Sequence, residues 1–222
     1  MEEGSEAAAD DARRPTRGRR SRETTRRKLV DAALRIVAKK GLDATTINEI
    51  TEEADVGFGS FYNHFTSKNE IATIAFEQRA NELGEINDLI GERESDSALA
   101  VAYIQRLFLT KAVNDPVWGW FVLHAANGLP EMSRVFMTRG KRDIERGISQ
   151  HRFSTSCAET AMRIILASLL ATMRAILEKN VPHSAVSETI ECLLTMLGVP
   201  KAEARSLSQK KLPSYISTKF LD

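Results

Sequence analysis

The chain has 222 residues, of which 42% are hydrophobic and 27% charged, and its 31 basic and 30 acidic side chains leave a net charge of +1. This composition is typical of a globular protein and excludes collagen, wholesale disorder and coiled-coil fibres. The longest apolar stretch, 164–173, has half of the ~20 residues that a membrane crossing needs, and the acidic start of the chain lacks the pattern of a secretory signal. We therefore expect a cytoplasmic protein with no membrane partner.

The N-terminal region has an uneven charge distribution. Between Arg13 and Lys28, nine basic residues stand against the single acid Glu23, and nine minus one gives this segment a charge of +8. A like-charged segment with few apolar residues does not fold alone, and we predict a disordered basic arm over residues 1–22. By itself the arm is open to three interpretations: a solvated tail, a nucleic-acid contact or a patch that binds anionic surfaces.

Apolar residues recur at helical spacing through the rest of the chain, and no stretch of useful length alternates with a period of two. The first predicted helix covers about residues 23–40. A second begins with a capping-box sequence at Thr46 and ends near Ala54. A tight connection then leads to a short segment, 60–65, and another capping-box sequence at Ser67 opens a long helix.

The second half of the chain reads as further helices with short connections. They cover approximately residues 98–112, 115–127, 130–148, 157–179, 182–198 and 201–208. Cys157 and Cys192 fall within this apolar pattern, and we expect reduced core thiols rather than a disulfide. The fold class predicted from the whole pattern is all-α.

Residues 46–65 form the most diagnostic segment. Two short helices joined by a turn too tight for antiparallel packing predict a helix-turn-helix. The apolar residues of this segment supply its inner faces. The outward positions are Phe58, Gly59, Ser60, Tyr62, Asn63 and His64. Hydroxyl, amide and imidazole groups contribute little to a core, whereas a helix in the major groove uses them on phosphates and base edges. The sequence therefore predicts binding to double-stranded DNA.

This segment resembles the TetR family of transcriptional regulators, most specifically in the pattern Tyr62-x-His64-Phe65-x-Ser67-Lys68. The resemblance covers about residues 23–80. It implies a three-helix DNA-binding domain over 23–83, followed by a larger helical ligand-binding and dimerisation domain over 84–208 and a tail over 209–222. It also implies a ligand-responsive regulator, most simply a repressor that leaves a (pseudo)palindromic operator when a small apolar effector binds. Such a protein would be associated with the bacterial nucleoid.

The resemblance also implies DNA contacts at individual positions. Phosphates would be held by Thr46, Tyr62, His64 and Lys68. The groove would be faced by Phe58, Gly59, Ser60 and Asn63. The basic segment 13–28 would add Arg22, Arg26 and Arg27. Two departures from the family pattern concern the turn: Asp55 replaces a glycine but tolerates a left-handed backbone, and Gly57 replaces a serine or threonine and offers no side-chain cap.

An effector pocket is indicated by large, adaptable apolar side chains in the second half of the chain. The predicted pocket residues are Phe108, Trp118, Trp120, Phe121, His124, Phe136 and Met162. Ordinary core packing is the alternative for each of them. The effector expected from this composition is a lipophilic or acyl-bearing small molecule. We predict no cofactor and no metal, because His124, His151 and His183 are scattered.

The last two long helices are apolar on more than one face. Either they lie deep in the core of one chain, or they pair two chains in a self-complementary interface. The family precedent of a four-helix bundle across a two-fold axis favours a homodimer. The predicted interface residues are Leu166, Leu170, Met173, Ile190 and Leu194.

Two other function classes are weighed against DNA binding. An enzyme would need a nucleophile elbow, a phosphate loop or a metal-binding helix motif, and none is present in the sequence, so we predict no enzymatic activity. A helical interaction protein could use the basic arm on anionic surfaces, but the arm carries no apolar face that would lie in a membrane.

Overall fold

The protein is described by a computed structural model that covers residues 17–128 and 130–216. Within these ranges the chain is helical and contains no strand, which confirms the predicted all-α fold. The helices are α1 (Arg17–Lys40), α2 (Ile47–Glu53), α3 (Phe58–Tyr62), α4 (Lys68–Arg93), α5 (Ser97–Asn114), α6 (Pro116–Gly128), α7 (Pro130–Ser149), α8 (Ala158–Leu177), α9 (Ala185–Met196) and α10 (Lys201–Ser208).

Both ends of the described chain are more ordered than the sequence predicted. α1 begins at Arg17, so residues 17–22 of the predicted disordered arm are helical, in keeping with the high helix propensity of arginine. Residues 1–16 lie outside the described residues. The predicted polar tail also packs on the protein: Ile216 is buried, and the Tyr215 hydroxyl donates to Glu94 Oε1 at 2.8 Å. Residues 217–222 lie outside the described residues.

The hydrophobic interior consists of two clusters. The first is formed by α1 to α4 around Ile50, Phe61 and Phe65, and it also includes Phe121 and Ala125 of α6. α1 packs extensively on α6, which therefore contributes to the core of this N-terminal half, the predicted DNA-binding half. The second cluster occupies the space between the end of α4 and helices α5 to α10.

Phe136 of α7 connects the two clusters. Its ring lies 5.5 Å from the ring of Phe76 in the first cluster and 5.5 Å from that of Phe108 in the second, both nearly perpendicular. Edge-to-face contacts at such distances are favourable beyond the area they bury. The two halves of the molecule are thus in direct aromatic contact.

Helix α8 separates into a buried and an exposed stripe. It packs against α5, α6, α7 and α9. The stripe that contains Leu166 and Met173 is buried in the single chain, as are Ile190 and Leu194 of α9, and Leu170 is half-buried. These residues were predicted to pair two chains. The four buried ones face the core of their own chain, so their assignment to the interface is wrong, whereas that of Leu170 stays a prediction. The helices are so apolar that periodicity alone did not distinguish the two stripes.

Among the described residues, one helix, α8, is long and apolar enough to cross a membrane by length and composition alone. A single helix of this kind is a weak indication, because core helices of soluble proteins meet the same criteria. The predicted core location of the cysteines is wrong: both Cys157 and Cys192 are exposed, Cys157 at the N-cap of α8 and Cys192 on the outer face of α9.

Candidate nucleic-acid interface

The helix-turn-helix has the predicted local structure. Thr46 caps α2 in a reciprocal capping box with Glu49, as its sequence predicted. Asp55 adopts the left-handed backbone with a φ of 54°, which permits the tight turn after α2. Gly57 is the N-cap of α3 and makes no side-chain hydrogen bond to it, which confirms that this cap lacks an acceptor.

The short helix α3 presents two aromatic rings to solvent. Phe61 is fully buried and anchors the helix in the first core cluster, whereas Phe58 is 51% exposed and Tyr62 is 55% exposed. The two exposed rings meet edge to face with centroids 5.7 Å apart. Gly59 faces open space and Asn63 is exposed, while Ser60 is half-buried. These residues form one outward surface, as the sequence predicted.

The N-terminal extension of α1 lies beside this surface. Arg22 donates a hydrogen bond from Nη2 to the carbonyl oxygen of Asn63 at 3.2 Å. One helical turn later, the Arg26 guanidinium lies 5.1 Å from the centroid of the Phe65 ring. Arg27 is exposed on the same extension. The structure thus brings Arg22 and Arg26 to the end of α3, where their charge adjoins the outward polar groups.

His64 is half-buried at the edge of this surface. Burial, together with the positive charges of Arg22 and Arg26, lowers the pKa of His64 below its usual value of 6.5. At neutral pH the ring is therefore neutral in the free protein. It can donate one hydrogen bond to an anion but does not add a positive charge.

Two of the predicted phosphate ligands have internal partners instead. Lys68 Nζ donates to the carbonyl oxygens of Leu42, Asp43 and Thr45 at 3.0, 2.9 and 2.9 Å. A lysine ammonium has three donors, so all of them are used, and the predicted direct phosphate contact is wrong. Thr46 is exposed, but its hydroxyl donates to Glu49 Oε2 at 2.7 Å within the capping box.

Far from this surface, an apolar cavity of about 60 Å³ lies between α4, α5, α7 and α8. Three of the predicted pocket residues line it: Phe108, Phe136 and Met162. Its remaining lining residues are Leu83, Asn87, Val101, Ile104, Gln105, Gly140, Asp143, Ile144, Ile165, Leu166 and Leu169.

The other four predicted pocket residues lie outside this lining. Trp118 is buried behind Phe108, whose ring it contacts edge-on at 5.5 Å. Phe121 belongs to the core of the DNA-binding half, and Trp120 packs against both clusters. His124 stacks on Trp120 with ring centroids 5.7 Å apart. None of these four residues lines this cavity, and Trp118 and Phe121 are core residues.

Sequence analysis missed the polar residues of the cavity, Asn87, Gln105 and Asp143. Gln105 had a recognisable signal, because it interrupts the apolar segment 98–109 at a helical spacing of four from Val101, which is buried on the same face. A glutamine at a core position needs a partner or a function. Asn87 and Asp143 fall in polar surroundings, where nothing in the pattern distinguished them.

Family models match both halves of the chain. A model described as the C-terminal domain of tetracyclin repressor-like proteins matches residues 96–210, and one described as bacterial regulatory proteins of the tetR family matches residues 29–73. The chain belongs to the TetR family. The family consists of transcriptional regulators and not of enzymes.

Curated relatives match over a part of the chain. The transcriptional regulator SrpR of Pseudomonas putida is 36% identical over 84 residues, which cover 37% of this chain and 39% of SrpR. AcrR of Shigella flexneri is 32% identical over 62 residues, which cover 28% of this chain and 29% of AcrR. The matches therefore span less than half the length of these two relatives.

Solved TetR-type structures match over most of the chain. RolR in complex with the ligand resorcinol is 28% identical, with a TM-score of 0.70, and the match covers 88% of this chain and 98% of RolR. A gamma-butyrolactone receptor, described as an ArpA-like protein, has a TM-score of 0.66 at 18% identity, covering 85% of this chain and 95% of the receptor. The second likeness concerns the fold alone.

Proposed function

We propose that this TetR-family protein is a repressor that binds a palindromic operator as a homodimer and releases it when a small molecule occupies the α4–α5–α7–α8 cavity. The observation that carries the proposal is the outward surface of α3. Phe58 and Tyr62 are more than half exposed there, next to Arg22 and Arg26, in a helix anchored by a buried Phe61. A soluble protein has little reason to expose two neighbouring aromatic rings unless a partner covers them.

In this proposal α3 enters the major groove. Phe58, Gly59, Ser60 and Asn63 face the base edges, whereas Tyr62 and the neutral His64 donate hydrogen bonds to phosphates. Arg22, Arg26 and Arg27 supply the positive charge near the backbone. Lys68 is not among the proposed phosphate contacts, because its three donors are used within the chain.

The proposed dimer interface is the exposed stripe of α8 and α9. Ile164 is 46% exposed and Met196 is 38% exposed, which makes them two of the few large hydrophobic side chains on the described surface. Along α8, Ile164 is followed on the exposed side by two small residues, Ala167 and Ala171. These would allow helices of two chains to approach closely. A two-fold axis through this surface presents two copies of α3 to successive half-sites about one turn of DNA apart.

The proposed release mechanism runs through Phe136. This residue lines the cavity and contacts Phe76 in the core of the DNA-binding half. A cavity of about 60 Å³ is smaller than the ~150 Å³ that accommodates benzene in an engineered cavity, so a ligand has to displace side chains. RolR, which is similar over most of its length, binds resorcinol, and this supports an effector role for the C-terminal half.

The experiment has two steps. Operator sequences are selected from random duplex DNA with the full chain, and palindromic half-sites are expected. A compound that binds the protein is then titrated with and without the operator. A coupling of about 1–3 kcal/mol lowers operator affinity roughly 5- to 150-fold, and the operator weakens ligand binding by the same factor. If the selection yielded sequences without any preference, the proposed operator would be refuted. If the ligand had equal affinities in both titrations, release by that compound would be refuted.

A further inference from the structure

We propose that Asn87, Gln105 and Asp143 select an uncharged effector that carries hydroxyl groups on a compact apolar body. The inference deepens the proposed function and rests on it, because it names the chemical class of the molecule that occupies the cavity. It concerns three residues that sequence analysis did not assign to any site.

Four buried polar atoms at the cavity have no hydrogen-bond partner within the described chain. They are both amide atoms of Gln105, Oδ1 of Asn87 and Oδ2 of Asp143. Gln105 is only 2% exposed, and all three residues line the cavity. A buried polar atom without a partner costs free energy, so a ligand that supplies one gains binding energy selectively.

Asp143 already has a cationic partner, Arg142, which it shares with Asp88. Its Oδ1 accepts from Arg142 Nη2 at 3.2 Å, and the same nitrogen donates to Asp88 at 2.7 Å. Burial raises the pKa of the Asp143 carboxyl, which makes its neutral form more accessible. A ligand that meets Oδ2 therefore needs a hydrogen-bonding group and does not need a positive charge.

An anionic head group fits the cavity poorly. No lysine or arginine is among its described lining residues. Arg139 and Arg146 line smaller adjoining cavities, but Arg139 lies 3.9 Å from Asp88, and Arg146 donates to the carbonyl oxygens of Gly91 and Glu94. A fatty acid would thus bring its carboxylate towards that of Asp143 in a cavity whose lining residues supply no positive charge, and this argues against the acyl effector expected from the sequence.

A hydroxyl group matches the polar wall better than a hydrocarbon does. It donates and accepts in one position, so it can satisfy both the carbonyl and the amino group of Gln105. A hydrocarbon would leave all four atoms without partners while displacing any hydration from them. The opposite walls are apolar, and the flexible Met162, packed beside Gly140, can yield to a ring. The cavity therefore favours a small hydroxylated compound with a compact apolar body, such as a single ring.

The test uses isothermal titration calorimetry on the full chain at pH 7 with four single-ring probes: a dihydroxybenzene, benzoate, benzylamine and toluene. We expect the dihydroxybenzene to bind at least about 10-fold more tightly than each of the others. A ligand that leaves a buried donor and acceptor of the cavity without hydrogen-bond partners loses affinity by about this factor. Tighter binding of benzoate, benzylamine or toluene, or no binding of any probe, would overturn the inference.

Variants then assign the selectivity to the polar wall. Gln105→Leu is expected to weaken dihydroxybenzene binding by at least about 10-fold, to leave toluene binding equal or stronger, and to leave the melting temperature unchanged or higher. Asn87→Leu is a second variant with the same expectation for dihydroxybenzene. Gln78→Leu, at an exposed glutamine of α4, is the matched control and should leave both affinities unchanged. Unchanged dihydroxybenzene affinity in both Gln105→Leu and Asn87→Leu would overturn the assignment.

The same titrations separate this inference from the proposed function. If the dihydroxybenzene binds as expected but operator affinity does not change, the ligand class stands and release by it fails. If instead an apolar or anionic compound releases the operator and Gln105→Leu has no effect on that release, the proposed function stands and the ligand class fails.

Discussion

Tyr62 and Asn63 are adjacent at the end of α3, yet their substitution should have different effects on DNA binding. Tyr62→Phe removes the proposed hydrogen bond to phosphate and should weaken binding to all duplexes by about 1 kcal/mol, roughly fivefold. Asn63→Ala removes the amide that we propose to face base edges and should change the ranking of sequences. Repeating the operator selection with each variant measures both effects. A changed ranking with Tyr62→Phe, or an unchanged one with Asn63→Ala, would contradict these roles.

Lys68 should matter for folding rather than for phosphate binding. Lys68→Met removes three charge-assisted hydrogen bonds to the carbonyl groups before α2, and the free energy of unfolding should fall by about 2 kcal/mol. The exposed Lys39 provides the control substitution Lys39→Met, which should change stability little. Denaturant unfolding measures the difference. If Lys68 bound phosphate directly, Lys68→Met would instead reduce the magnitude of the salt slope of DNA binding by about 0.9.

At the scale of single helices, the extension of α1 should supply affinity without sequence preference. Deletion of residues 1–22 removes Arg22 and the helical turns before it, so DNA binding should weaken for all sequences alike. Each lost phosphate contact should reduce the magnitude of the salt slope by about 0.9. Arg22→Ala is the narrower comparison. The arm would have no role in binding if the truncated and the full chain had equal affinity at every salt concentration.

The capping box of α2 should make this helix sensitive to acid. Hydrogen bonds from Lys40 and Thr46 lower the pKa of Glu49 from 4.5 to about 2. Since the pKa is lowered by folding, the contribution to stability is fully present above pH 4.5 and is lost as the pH falls through about 2. The stability difference between the wild type and Glu49→Gln should therefore shrink over this interval in pH-dependent unfolding. A difference that does not vary between pH 2 and pH 6 would contradict the assignment.

Local sequence patterns correctly predicted those features whose structure depends on residues nearby in the sequence. The cap at Thr46, the uncapped start of α3 at Gly57 and the outward aromatic rings of α3 all follow from residues within one helical turn. The assignments for α6 and α8 were less successful, because both helices are apolar around much of their circumference. The stripe of each helix that faces a core is determined by packing against α1, α5 and α7. Because these helices are distant in sequence, the periodicity of α6 and α8 does not reveal which stripe it is.

At the scale of the whole molecule, the exposed stripe of α8 should hold two chains together. Ile164→Glu places a carboxylate in the proposed interface and should dissociate the dimer, because an unpaired buried charge costs several kcal/mol. Val117→Glu is the matched control, since Val117 is 43% exposed and Ile164 46%. Sedimentation velocity should show half the mass for Ile164→Glu and an unchanged mass for Val117→Glu. A wild-type protein that is monomeric at micromolar concentration would refute the dimer.

The contribution of α6 to the core of the DNA-binding half limits how this protein can exchange parts with its relatives. Phe121 and Ala125 belong to the same cluster as Ile50 and Phe61. Consider a chimera that joins residues 1–83 of this chain to the C-terminal half of a relative. Apolar positions of α1 would then face water unless that C-terminal half supplied a helix that matches α6. The two halves are not independent modules, and substitutions in α6 must preserve the surface on which α1 folds.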